Sequence, residues 1–285
     1  MSRVAIVTDS AADLDPGTAA SLGITVVPLI VSFGATSYRA GVDLSTEAFW
    51  ERMTAPDAPF PTTAACSPGT FKEAFEAIFA GGADAIVCVT VGSKLSGTWT
   101  SAGVAREMLP EREIHVVDSK NVSMGQGLLA VLGAELAAEG VPADGIARTL
   151  ENRTDDVETV LVLDTLEYLK KGGRISGSRA AIGTLLGVKP VISIRDNFVD
   201  TIGRVRTRAK AREWAIDYLT QGPLERLVIL HTLSPDVDAF RDTLLARLPT
   251  GVDPAKVTVH LIGASTGPHA GPGGIGAALL RRHQA

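Results

Sequence analysis

The stretch Ala85-Ile86-Val87-Cys88-Val89-Thr90-Val91-Gly92-Ser93-Lys94-Leu95-Ser96-Gly97-Thr98 decides the reading of the fold. An apolar, largely β-branched run that stops at polar turn residues is the pattern of a parallel strand buried on both faces. Val4-Ala5-Ile6-Val7 and Ile114-His115-Val116-Val117 repeat it, ending in Thr8-Asp9-Ser10 and Asp118-Ser119-Lys120. Helical patterns lie between these runs, at 45–53, 69–80, 98–108 and 124–139. Strand–helix alternation of this kind predicts an α/β fold whose parallel sheet is covered on both sides. Ligands in such sheets bind outside the carboxyl ends of the strands, so three serine-bearing loops are expected to meet at one edge.

Beyond about residue 155 the texture changes. Thr159-Val160-Leu161-Val162-Leu163 opens a second set of elements, followed by Leu166-Glu167-Tyr168-Leu169-Lys170-Lys171-Gly172-Gly173-Arg174. Segments 189–194 and 197–202 read as neighbouring strands across a turn, and 207–220 as a long helix. Leu227 to Leu230 and Val257 to Ile262 read as two further strands, with a helix at 235–247 between them. The polar stretch Glu151 to Asp156 places a boundary near 155, giving units 1–155 and 156–285. Two ordinary domains fit the length, since domains cluster near ~100–150 residues.

A chain of 285 residues, 45% of them hydrophobic, builds a core without disulfides or metal. The net charge of −5 gives no overall field that attracts nucleic acid. Cys88 sits inside an apolar run and is expected in the core, whereas Cys66, before Ser67-Pro68-Gly69, has a setting compatible with exposure. Two cysteines make neither a disulfide framework nor a metal cluster. Apolar windows such as 22–35 and 127–138 are interrupted and fall short of the roughly 18 residues of a membrane span. The chain reaches Thr8-Asp9 with no recognisable leader, so a soluble, cytoplasmic protein is expected.

Ser93-Lys94-Leu95-Ser96-Gly97-Thr98 lies between a strand and a helix, where hydroxyls cap free amides and the same amides can hold an anion. Both readings stand on the motif alone. It lacks the glycine and Lys-Ser/Thr spacing of a phosphate loop and of a dinucleotide fingerprint. Asp9 and Ser10 read as caps of the next helix, because the second aspartate of a phosphatase-like pair is replaced by Ala11. His115 lies within a strand, His260 abuts one, His283 is in the tail, and His231 stays undecided. His269 differs, sitting in Gly267-Pro268-His269-Ala270-Gly271-Pro272-Gly273, a loop stiff at its prolines and open at its glycines. A neutral imidazole there can donate to a carboxylate or carbonyl. Basic residues cluster at 170–174 and 204–210 without interleaved aromatics, which fits an acidic or phosphate-bearing partner better than nucleic acid. HExxH, CxxC, paired-carboxylate and Gly-x-Ser-x-Gly signatures do not occur.

In order along the chain, these motifs resemble the DegV family of fatty acid-binding proteins. The resemblance is carried by Thr8-Asp9-Ser10-Ala11-Ala12-Asp13, Pro61-Thr62-Thr63 with Ser67-Pro68-Gly69, and Leu95-Ser96-Gly97-Thr98 with Ser101-Ala102. It continues through Val117-Asp118-Ser119, Leu166 to Arg174, Lys189-Pro190, Val205-Arg206-Thr207 and His269-Ala270-Gly271-Pro272-Gly273. The resemblance implies an N-terminal three-layer α/β/α domain with a parallel sheet and a C-terminal two-layer α/β domain with a mixed sheet. A long-chain fatty acid would lie buried between them. Such a protein would have no catalysis and no cofactor of its own. It would present the acyl carboxylate to a separate ATP-dependent fatty acid kinase subunit, forming an acyl phosphate for phospholipid synthesis. Thr63, Ser96, Gly97 and His269 would surround the carboxylate, with Arg206 nearby. Asp9, Ser10, Thr62, Ser119 and Gly271 would support the loops, and Arg174 with Arg206 would dock the partner. Transient membrane contact would accompany lipid exchange.

The chain departs from the family pattern in places. Thr63-Ala64-Ala65-Cys66 stands where Thr-Ser-Gln-Pro is usual, Trp99 where Tyr is common, and Asn197 in a turn often holding Gly. The choice of Thr63 over Thr62 rests on counting back from Ser67-Pro68-Gly69. The alternative from another class is a small-molecule kinase or phosphotransferase related to dihydroxyacetone kinases, where a histidine holds a carbonyl substrate. Nucleotide binding by the isolated chain distinguishes it. A regulatory module docking protein through 170–174 and 204–210 would bind its partner with or without lipid.

Overall fold

The computed structural model describes residues 3–175, 187–249 and 251–283. Its first part runs β1 (Val4–Asp9), α1 (Pro16–Ser21), β2 (Thr25–Val27), β3 (Ile30–Phe33), β4 (Thr36–Arg39), α2 (Thr46–Met53) and β5 (Thr62–Ala64). It continues with α3 (Pro68–Ala80), β6 (Ala85–Thr90), α4 (Thr98–Glu107), β7 (Glu113–Asp118), α5 (Met124–Ala138) and α6 (Ala143–Arg153). The second part comprises β8 (Val157–Val162), α7 (Glu167–Lys171), β9 (Lys189–Arg195), β10 (Phe198–Val205) and α8 (Arg208–Leu219). It ends with β11 (Leu224–His231), α9 (Val237–Leu245), β12 (Val259–Leu261), α10 (Gly267–Ala270) and β13 (Ile275–Arg281).

The three apolar runs that opened the sequence reading pair in parallel as β1, β6 and β7, in a sheet ordered β2-β1-β6-β7. Alternate side chains explain why these runs carry no polar face. Ile6, Val87 and Val89 pack with Leu128, Leu129, Ile146 and Leu150 of α5 and α6. Val7, Ile86 and Cys88 pack on the other side with Phe71, Phe75, Ala102 and Ala105 of α3 and α4. Helix starts follow the side-chain chemistry: Ser45, Ser67 and Thr207 each accept an amide of the first turn of α2, α3 and α8. The short strands β3, β4 and β5 form a separate antiparallel sheet, whose Val31 packs on Phe49 and Trp50 of α2.

Strands from residue 157 onward form a mixed six-stranded sheet ordered β10-β9-β8-β13-β11-β12, in which only β11 and β12 run parallel. One face carries α8 and α9 through Ala211, Ala215, Phe240 and Leu244. Leu161, Ile192, Leu230 and Ala278 belong to the same buried cluster as Leu128 and Leu129 of α5. Helix α5 is therefore apolar over most of its surface, as suits a helix packed between two sheets, with Gln126 bonded to Thr8 and Glu135 paired to Arg226. Cys66 is buried, with 3% exposure, because its side chain joins the aromatic cluster of α3. Burial pushes its thiol up to about 12, so it is not a reactive surface cysteine.

Candidate functional site

One cavity brings together Thr63, Ser96, Arg174 and His269 of the residues that the sequence singled out. It encloses about 670 Å³ of empty space, counted out to its open mouth. Leu161, Ile192, Ile194 and Val199 of β8 to β10 wall it together with Leu29, Val91 and Val122. Thr63, Ser96, Arg174, Ser265, Thr266 and His269 supply its polar side chains. An apolar volume with a few converging polar groups is the usual form of a small-molecule site.

Strand alternation selects Thr63. In β5, Thr62 and Ala64 are exposed, whereas Thr63 turns inward and places Oγ1 3.0 Å from His269 Nε2. His269 rides on α10, whose approach is fixed by two tethers. Gly263 N donates to Asp13 Oδ1 at 2.9 Å, and the Ser10 and Ser265 hydroxyls pair at 2.8 Å. The imidazole lies against the Cα of Gly172, which has no room for a side chain. His269 Nδ1 is consequently buried without a partner. A proton there would be a stranded donor, so the arrangement favours the tautomer with hydrogen on Nε2. Nε2–H then donates to Thr63 Oγ1, and the Thr63 hydroxyl is left to donate into the cavity. Burial pushes the His269 pKa down to about 4, helped by the positive charge of Arg174, so the ring is neutral at physiological pH.

Ser96 lies in the loop from β6 to α4, coiled by Leu95 N and Ser96 N donating to Gly92 O at 2.9 and 3.1 Å. Its Oγ accepts from Thr98 N at 3.3 Å and shares a hydrogen with Thr98 Oγ1 at 2.8 Å. Capping and cavity lining are thus done by one side chain. Gly97 is the exposed cap residue of α4 and does not line the cavity. Arg174 stands in the cavity wall, its Nε donating to Leu95 O at 3.1 Å and its Nη1 to Gly172 O at 2.6 Å. Arg206 is exposed and outside that wall. Its neighbour Arg208 turns inward instead, pairing with Asp236 at 2.7 Å and Asp164 at 3.1 Å.

The supporting residues fix backbone. Asp9 is fully buried and accepts from Ala11 N at 2.9 Å and Val91 N at 2.8 Å, tying β1 to the end of β6. Burial pushes its carboxyl up to about 6 against the pull of those two donors. Ser10 also accepts from Leu29 N at 2.9 Å. Ser119 is buried and closes its turn by accepting from Asn121 N at 3.2 Å. Gly271 has a φ of 70° and meets the ring of Tyr168 so closely that a side chain is excluded. His231 is half-buried at the end of β11, with Nδ1 unpartnered.

Ser265 and Thr266 were not singled out from sequence, yet both line the cavity, and Thr266 Oγ1 is buried without a partner. Two hydroxyls directly before the Gly-Pro-His turn were the available signal. Among the described residues, no group of three or more His, Cys, Asp or Glu is placed to hold a metal ion. None of the described helices is long and apolar enough to cross a membrane.

Fold and cavity together define an α/β ligand-binding architecture with a parallel and a mixed sheet. The family model described as "Uncharacterised protein, DegV family" matches residues 3–282, and the chain belongs to that family. A DegV domain-containing protein of Caldanaerobacter subterraneus subsp. tengcongensis is 34% identical over 280 residues, 97% of this chain and 98% of that one. A solved DegV family protein from Thermus thermophilus, described for fatty acid binding, superposes with a TM-score of 0.86 at 32% identity. That alignment covers 98% of this chain and 100% of its counterpart. A stearic acid-binding protein from Eubacterium ventriosum gives 0.83 at 29% identity, covering 99% and 98%.

Proposed function

We propose that this chain binds a long-chain fatty acid in a tunnel between domains 1–155 and 156–285 and presents its carboxylate to a separate kinase subunit. The observation that carries the reading is the Thr63–His269 hydrogen bond at one cavity with Ser96 and Arg174, whose walls are apolar apart from these and the hydroxyls of Ser265 and Thr266. Thr63 and Ser96 supply hydroxyl donors, neutral His269 fixes the first of them, and Arg174 supplies the charge. A carboxylate can accept from all three groups without a metal. The acyl chain lies along Leu161, Ile192, Ile194 and Val199. Burial contributes about 0.8 kcal/mol per methylene, so roughly ten methylenes outweigh the few kcal/mol of partly desolvating a well-bonded carboxylate.

The absence of a phosphate-loop motif in the sequence supports an external phosphate donor, and exposed Arg206 is available for contact with the subunit that carries it. Binding and presentation, rather than catalysis, are then the task of this chain. Mass spectrometry of a denatured extract of the purified protein should release fatty acids. Recovery of none, together with no uptake of added palmitate, would sink the reading. Acyl phosphate formation from palmitate and ATP by a cognate kinase should require this chain.

A further inference from the structure

The turn between β9 and β10 consists of Asp196 and Asn197, with φ of 48° and 66°. Two successive left-handed residues are what a tight two-residue hairpin requires, and a glycine at the second would serve equally. Asn197 nevertheless buries its side chain, with 7% exposure, and spends it away from its own turn. Its Oδ1 accepts from Lys94 N at 3.2 Å, and its Nδ2 donates to Asp118 Oδ2 at 3.0 Å. Its main-chain N–H donates to Lys120 O at 2.8 Å. Asp118 Oδ1 in turn accepts from Ser93 N at 3.0 Å and Lys120 N at 2.9 Å. Beside this clasp the Lys94 ammonium sits 4.2 Å from the centre of the Phe198 ring.

One hairpin of the mixed sheet therefore grips the loops that leave β6 and β7, two neighbouring strands of the parallel sheet. The gripped segment ends two residues before Ser96. The same hairpin contributes Ile192, Ile194 and Val199 to the cavity wall. We propose that Asn197 is a positioning residue: it holds the 93–96 loop so that the Ser96 hydroxyl meets the ligand's carboxylate. The inference rests on the fatty acid reading above and adds a residue that does not line the cavity.

Asn197→Gly keeps the backbone conformation and removes both side-chain bonds, which makes it the discriminating variant. Palmitate titrated into the delipidated protein should bind about tenfold more weakly, the effect of losing roughly one net hydrogen bond at the head group. Ser96→Ala should weaken binding similarly, and the double variant should be no weaker than Ser96→Ala alone. Amide exchange should rise at 93–96 more than elsewhere in Asn197→Gly, and its urea midpoint should fall only modestly. Full affinity in Asn197→Gly overturns the inference, and so do losses that add in the double variant. A wild-type protein that takes up no palmitate overturns the fatty acid reading itself, and this inference with it.

Discussion

His269 has two ring nitrogens in unlike settings, one bonded to Thr63 and one pressed on Gly172, and this asymmetry fixes its chemistry. Its folded pKa of about 4 lies below the unfolded value of 6.5, so the unfolded chain takes up the proton first as pH falls. The stability it contributes is complete above pH 6.5 and is lost between 6.5 and 4. His269→Gln cannot charge, so the fall in urea midpoint from pH 7.5 to 5 should be smaller in the variant. Parallel profiles would show that His269 is not buried neutral. Thr63 is the donor that this arrangement orients. Thr63→Val keeps the shape, strands Nε2–H and should weaken palmitate binding by about tenfold or more, whereas Thr63→Ser should retain most of it. Equal affinity of the Val and wild-type proteins would remove Thr63 from the grip. Sequence reasoning reached His269 because loop composition is a local property, whereas Thr63 came from the family resemblance, by counting back from Ser67-Pro68-Gly69. It did not reach Gly172 as the seat of the imidazole, since that contact joins positions nearly a hundred residues apart.

At the scale of elements, the reading from sequence was accurate where burial is symmetrical. The runs at Val4, Ala85 and Ile114 became β1, β6 and β7, and the helical patterns at 45–53, 69–80, 98–108 and 124–139 became α2 to α5 within a residue at each end. Among the elements that escaped, with α1 and β2, three cases have a clear physical reason. Gly276-Ala277-Ala278 has little strand propensity, yet β13 is a central strand paired with β8 and β11, and a side chain at Gly276 would strike Val160 O. The strands β3 to β5 are too short for a period to show. Helix α6 carries the amphipathic set Ile146, Ala147 and Leu150 up to Arg153, beside a stretch whose polarity reads as linker. Asp13, in the turn after β1, links such elements by accepting from Gly263 N and, at 2.6 Å, from Ser123 Oγ. Burial pushes it up to about 7 from 3.8, so its folded form binds the proton more tightly than the unfolded chain. The stability it contributes is complete below pH 3.8 and is lost as pH rises through 7. An asparagine side chain in its place would keep the acceptor for Gly263 and donate to Ser123 Oγ. Asp13→Asn should therefore hold its urea midpoint between pH 6 and 8.5 while the wild type declines, and matching declines would refute the assignment.

Across the whole molecule, one buried cluster spans both large sheets, and Asn121 stitches the seam. Its Nδ2 donates to Ile194 O at 2.8 Å and Val157 O at 3.3 Å, while its Oδ1 accepts from Thr159 Oγ1 at 2.8 Å and Val122 N at 3.0 Å. All four of its polar valences are met at zero exposure, a pattern no local sequence window reveals. Asn121→Ala takes the side-chain partner from two carbonyls and from the Val122 amide, while the Thr159 hydroxyl keeps Val122 O, and should destabilise the protein by about 2–4 kcal/mol. The seam also carries the cavity, since Val122 and Ile194, both bonded to or beside Asn121, line it. A ligand that binds in this cavity would stabilise the folded state by an amount set by its concentration over its Kd. Loosening the stitch raises that Kd. Excess palmitate should therefore raise the Tm of Asn121→Ala by less than it raises that of the wild type. Equal shifts would mean that the seam and the cavity are energetically separate, and that Asn121 serves folding alone.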